Sequence, residues 1–318
     1  MKEAFFIRQN ASKWKLYEEK LKHISGCTPD DLADIYIDTT NDLSFARTHY
    51  PDSNITPYLN NISTRLHQYI HGRKRESFST FVDFWKRKLP LTIYDARKEL
   101  LYAFLVFFAG ALIGAVSTAN DSEFPGIILG DRYLDMTLEN IEKGDPMAVY
   151  KDEQKMGMFL GITINNVKVS FNTFIAGILT SVATAWFLFT NGVMIGTFQY
   201  FFASHGLLRE SFLTIWMHGT LEISAIIIAG AAGIAMGNGW LFPGTYSRIV
   251  SFRRGAKKGM RIVVGLVPVF VIAGFLESFL TGKTNLPDAV RLAVIIASLA
   301  FVLFYFVVWP AIVHKLYR

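Results

Sequence analysis

The alternation of polar and apolar stretches divides the chain near residue 99. Met1 to Glu99 is polar and charged throughout, with no short apolar run of the secretory kind, so the amino-terminal segment is expected to stay in the cytosol. Within it Trp14, Leu16, Tyr17 and Leu21, then Leu32, Ile35, Tyr36 and Leu43, recur at helical spacing and predict a small helical bundle. Thr28-Pro29-Asp30-Asp31 reads as a helix start, with Thr28 as N-cap, and Pro51 and Pro57 bracket a loop. Phe78 to Leu89 mixes Phe81, Phe84 and Trp85 with Lys86, Arg87 and Lys88, which suits an interfacial helix or an ordinary bundle helix equally.

From Leu100 onward apolar runs dominate. Leu100 to Asn120 has no charge and is long enough to cross a hydrocarbon core of roughly 30 Å. The uncharged run from Val169 to Ser204 is too long for one crossing, and Asn191-Gly192 is a turn-favouring pair, so spans are read near 170–190 and 193–208. Phe212 to Met236, Ile262 to Leu280 and Leu292 to Trp309 complete about six. The segment 119–168 should hold one helix through Leu134, Leu138 and Ile141, limited by Pro146, before Met156 to Leu160 returns the chain to the bilayer. The fold class is therefore an all-α polytopic membrane protein, with a cytosolic helical domain over 1–99 and a transmembrane domain over 100–318.

Composition agrees with that reading. Of 318 residues 51% are hydrophobic and 18% charged, and 27 Phe with 6 Trp would be hard to hide in a water-soluble fold. One cysteine, Cys27, forbids an intrachain disulfide and any paired-cysteine motif. The net charge of +6 is explained by its distribution: the loop 237–261 carries Arg248, Arg253, Arg254, Lys257, Lys258 and Arg261 without an acid, while Ala119 to Lys155 has nine acids against four bases. The positive-inside rule makes the first loop cytosolic and the second external, and six crossings then place both termini in the cytosol. The lipid bilayer is the expected partner, and nucleic acid is not.

Small residues punctuate the spans. Gly110/Gly114, Gly192/Gly196 and Gly233/Gly237, with Gly230 beside them, have the small-xxx-small spacing that lets backbones approach, and their number suggests a homodimer. The sharper signal is His218-Gly219-Thr220-Leu221-Glu222, which stacks an imidazole and a carboxylate on one helical face. An ionisable group inside a span needs a partner, a proton or a wet cavity, and Glu277 raises the same question in the fifth span. The expected topology sets Glu222 and Glu277 at similar depth towards the external leaflet. The candidate polar cluster is His218, Glu222, Glu277 and Asn191. It suits either a structural pin or a permeation path that includes Asn165 and Asn166.

No metal site is expected, because one His and one Glu are too few and the order is not that of zinc peptidases. Gly282-Lys283-Thr284 lacks the earlier glycine of a phosphate loop, and no hydrolase or dinucleotide motif occurs. Neither catalytic residues nor a cofactor is expected.

Three blocks give the chain a family resemblance. They are Phe6-Ile7-Arg8-Gln9-Asn10 with Trp14; Asp42 to Pro51 with Tyr58-Leu59-Asn60; and His218 to Glu222 followed by Ala229-Gly230-Ala231-Ala232-Gly233 and Phe242-Pro243-Gly244-Thr245. The sequence resembles the stage II sporulation protein M family of bacterial integral membrane proteins. That resemblance implies a polytopic helical protein of the bacterial cytoplasmic (inner) membrane without established catalytic residues. Relatives in spore formers act with peptidoglycan hydrolases during engulfment, and others occur where no spores are made; the sizeable amino-terminal domain resembles the latter. Two roles follow as expectations. One is a non-enzymatic scaffold or complex component, with envelope or peptidoglycan-remodelling proteins as partners. The other is a permease or channel subunit using His218, Glu222 and Glu277, which would need a separate ATPase if it were ATP-driven.

Overall fold

The computed structural model describes residues 2–22, 27–71, 78–144, 155–281 and 286–317. Pro146 and Gly282-Lys283-Thr284 lie outside them. About 90% of the described residues are helical, with no strand among them. The chain divides into two compact units, Met1–Ser79 and Thr80–Arg318. That boundary falls before the expected one at 99, because Leu89, Ile93 and Ala96 belong to the core of the second unit.

The first unit is built from α1 (Glu3–Lys22), α2 (Pro29–His49) and α3 (Ile55–His71). Thr28 caps α2 as expected, and Asp31 returns the bond in a reciprocal capping box. Its core takes Phe6, Trp14 and Leu21 from α1, Leu32, Ile35, Leu43 and Ala46 from α2, and Ile55, Leu59, Ile62 and Leu66 from α3. The last four are spaced by four, three and four residues, the period of one buried helical stripe. Two expectations are corrected here. Leu16 is exposed, since the buried stripe of α1 runs through Phe6, Trp14 and Leu21 instead. Pro57 belongs to the first turn of α3, where a missing N–H costs no helical bond.

The second unit begins within α4 (Phe78–Asp83) and continues through a π-helical turn (Phe84–Lys88) and α5 (Leu89–Asp95). The long elements follow as α6 (Arg97–Asn120), α7 (Phe124–Leu129), α8 (Asp131–Glu142), α9 (Lys155–Ile175), α10 (Ser181–Ser204), α11 (Leu208–Leu241), α12 (Arg248–Leu276), α13 (Asp288–Leu303) and α14 (Trp309–Tyr317). α8 carries Leu134, Leu138 and Ile141, as their spacing predicts. Among the described residues five helices are long and apolar enough to cross a membrane: α6, α10, α11, α12 with the π-helical turn that extends it to Thr281, and the α13–α14 rod.

Two boundaries differ from expectation. Asn191-Gly192 makes no turn, for α10 runs unbroken through it and the Asn191 amide donates to the Phe187 carbonyl one turn back at 2.8 Å. The break falls earlier, at Ala176–Thr180, where Thr180 adopts an extended conformation and caps α10 by accepting the Ala183 N–H. The expected basic loop over 237–261 is likewise mostly helix, with only 242–247 linking α11 to α12 and the six basic residues lying on the first turns of α12.

Glycines set the packing. Gly110 and Gly114 of α6 abut the backbone at Phe189 and Val193 of α10, and Gly192 and Gly196 abut Phe107 and Ala111. Residue numbers rise together on the two helices, so α6 and α10 are parallel. Gly230 receives the Leu188 side chain, while Gly233 and Gly237 receive the chain around Thr173, Thr180 and Thr184. Every glycine from which a homodimer was expected is thus in close contact within this chain.

α11 is almost wholly buried and forms the axis of the bundle. α12 returns antiparallel to it, with Gly255 against Ala235 and Gly259 against Ala232. α13 leaves from the end of α11 where Arg209 pairs with Asp288 at 2.5 Å and Arg291 with Glu210 at 3.2 Å. At the opposite end α14 packs on α5, with Tyr94 stacked on His314.

A buried histidine and two carboxylates in the helical bundle

His218 and Glu222 sit one turn apart on α11. The π-helical turn Glu277–Thr281 continues α12, and its Glu277 and Thr281, four residues apart, both face His218 of α11. His218 Nδ1 lies 3.1 Å from Thr281 Oγ1, and the Thr281 hydroxyl donates to the Leu276 carbonyl at 3.3 Å. Because that hydroxyl proton is committed to Leu276, Thr281 accepts from His218, and the imidazole proton is assigned to Nδ1. Its Nε2 lies 3.8 Å from a Glu277 carboxylate oxygen. Donor atoms of His218, Glu222 and Glu277 all lie within 4.8 Å of one another.

These three groups border a cavity of about 410 Å³ between α9, α10, α11 and α12, with Asn165 and Asn166 contributing further polar wall. Among the described residues no Lys or Arg lines it. Among the described residues Glu222 has neither a hydrogen bond nor an ion pair. On insertion scales a carboxylate at a span centre costs about 2.5–3.5 kcal/mol, so two carboxylates facing one histidine require compensation. The arrangement can share protons, hold a cation, or bind a small polar solute.

The spacing of His218 and Glu222 was legible in the sequence, and Glu277 joins them as its expected depth suggested. Asn191 does not: it faces its own helix and is absent from the cavity wall. Thr281 gave no signal, since its role depends on a π-helical turn.

A second cleft, of about 680 Å³, lies at the other end of α11, between Asn238, Gly239, Arg254, Lys257, Lys258 and Arg261. Lys258 also donates to the Asp95 carbonyl at 2.5 Å, and Arg254 lies over the Tyr246 ring. From Ile223 to Gly237 the only polar side chain on α11 is Ser224, so tightly packed alanine, glycine and isoleucine separate the two clefts along that helix.

The family model of a domain of unknown function, DUF8413, matches residues 4–72, which takes in the first two sequence blocks. No curated protein and no solved structure matches the chain. The family model described as Stage II sporulation protein M matches residues 103–282, which contain the third block, the glycine-rich crossings and the His218–Glu222–Glu277 cluster, and the chain belongs to the stage II sporulation protein M family.

Proposed function

We propose that the chain is a non-enzymatic scaffold or complex component of the bacterial cytoplasmic membrane, linked to envelope remodelling, that crosses the bilayer six times. The sixth crossing is α9. Parallel packing of α6 and α10 requires the intervening chain to return to the side from which α6 started, and 21 residues of α9 reach about 31 Å at 1.5 Å each. The positive-inside rule then sets the α12 basic cluster, both termini and the first unit in the cytosol, with α7 and α8 outside.

The observation that carries the scaffold reading is the dry segment Ala225–Gly237 of α11. It is buried throughout against its neighbours, and a polar path along this helix would have to break that packing. A permease is the second reading, favoured by the convergence of His218, Glu222 and Glu277 on one cavity. Proteoliposomes containing only this protein separate the two. The scaffold reading predicts that they stay tight to protons and small ions, while companion proteins co-purify from native membranes and are lost when residues 1–79 are removed. Flux that disappears in Glu222→Gln would replace it with the permease reading.

A further inference from the structure

We propose that His218, Glu222 and Glu277 form a binding site for one divalent transition-metal ion, with Thr281 as its outer support. The inference does not depend on whether the chain is a scaffold or a permease.

Tautomer geometry is the first argument. With the Nδ1 proton directed at Thr281, His218 Nε2 and a Glu277 carboxylate oxygen, both possible ligand atoms, lie 3.8 Å apart. That separation is too long for a direct hydrogen bond. It is close to the distance between two donors on one ion, which is about 3.3–3.5 Å for bonds of 2.0–2.2 Å in tetrahedral geometry. Drawing in the widest pair, now within 4.8 Å, asks for roughly an ångström of movement in flexible glutamate side chains.

Charge is the second argument. With both carboxylates ionised, a neutral imidazole and two carboxylates carry a charge of −2, which a divalent cation cancels inside an apolar bundle, and among the described residues no Lys or Arg lines the cavity. A third argument is the hydrogen bond behind the imidazole. Metal-binding histidines commonly donate their second N–H to a fixed acceptor that orients the ring, and the Thr281–Leu276 relay supplies one. The ligand set of one nitrogen and two carboxylate oxygens suits zinc or manganese, and the adjoining cavity leaves room for a water or solute as a further ligand.

The test uses full-length protein purified without a polyhistidine tag, stripped with a chelator and dialysed against Zn²⁺. Bound zinc per chain is measured by mass spectrometry, and Co²⁺ substitution is followed by its visible absorption. One ion per chain is expected. Glu222→Gln and Glu277→Gln should each weaken binding at least tenfold, and Thr281→Val, which leaves all three ligands in place, by about 10- to 100-fold. Zinc content no higher than in folded His218→Ala would overturn the site, as would zinc unaffected by either glutamine variant. Should those variants fail to fold, the wild-type spectrum decides: absorption of protein-ligated Co²⁺ supports the site, and that of aqueous Co²⁺ refutes it.

Discussion

Glu222 tests whether the polar cluster holds the helices together. Glu222→Gln keeps shape and hydrogen-bonding capacity, whereas Glu222→Leu leaves His218 and Glu277 facing an apolar group in a buried site. The leucine variant should lose about 1–3 kcal/mol of stability and melt earlier in detergent, with the glutamine variant closer to wild type. Wild-type-like melting of the leucine variant would show that Glu222 has no structural role. In the first unit, Tyr17 donates to Asp38 at 2.7 Å, and this bond, followed by Lys13, holds the Asp38 carboxyl below the ordinary range. Burial, then Asp38, pushes the Tyr17 phenol up. A depressed carboxylate contributes stability above its unfolded value of about 3.9, lost as pH falls through the folded value; a raised phenol contributes below about 10, lost as pH rises. Tyr17→Phe should therefore flatten both flanks of the thermal-stability profile measured by circular dichroism, and an unchanged profile would contradict the coupling. At this scale the sequence was informative wherever a charged group stood in an apolar stretch. It was silent on Thr281, because a threonine in a span is ordinary until backbone geometry turns it to a histidine.

At the scale of elements, the parallel crossing of α6 and α10 rests on glycines that admit no side chain. A Cβ on Gly196 would meet the Ala111 Cα at 2.9 Å, while among the described residues one on Gly161 of α9 would meet nothing within 4 Å. Gly196→Ala should cost about 1–3 kcal/mol through overpacking. Gly161→Ala should be neutral or stabilising by up to about 1 kcal/mol, since alanine is the better helix former. Comparable losses at both positions in detergent melts would remove the packing argument. Helix positions from α11 onward were largely readable from apolar runs, but those of α9 and α10 were not. Asn165, Asn166 and Lys168 interrupt α9, so the hydrophobic pattern places the span some fifteen residues late and the turn at Asn191-Gly192. Packing explains the difference. Gly192 is needed against Phe107 inside a continuous helix, and the turn is made by Thr180, whose capping bond has only a faint sequence signature.

For the whole molecule, the number of crossings decides which face each cleft meets. The six crossings proposed above would put the His218–Glu222–Glu277 cavity in the outer half of the bilayer and the Arg254–Lys257–Lys258–Arg261 cleft at the cytosolic surface. The link between α9 and α10 is the discriminating point, since it is cytosolic only if α9 crosses. A single native cysteine makes the measurement direct: in a Cys27→Ser background, cysteines are placed singly at Glu139, Leu179 and Tyr246, all exposed. Intact cells are then treated with a membrane-impermeant maleimide. The account predicts labelling at residue 139 in intact cells, and at 179 and 246 only after permeabilisation. Labelling of residue 179 from outside an intact cell would contradict it.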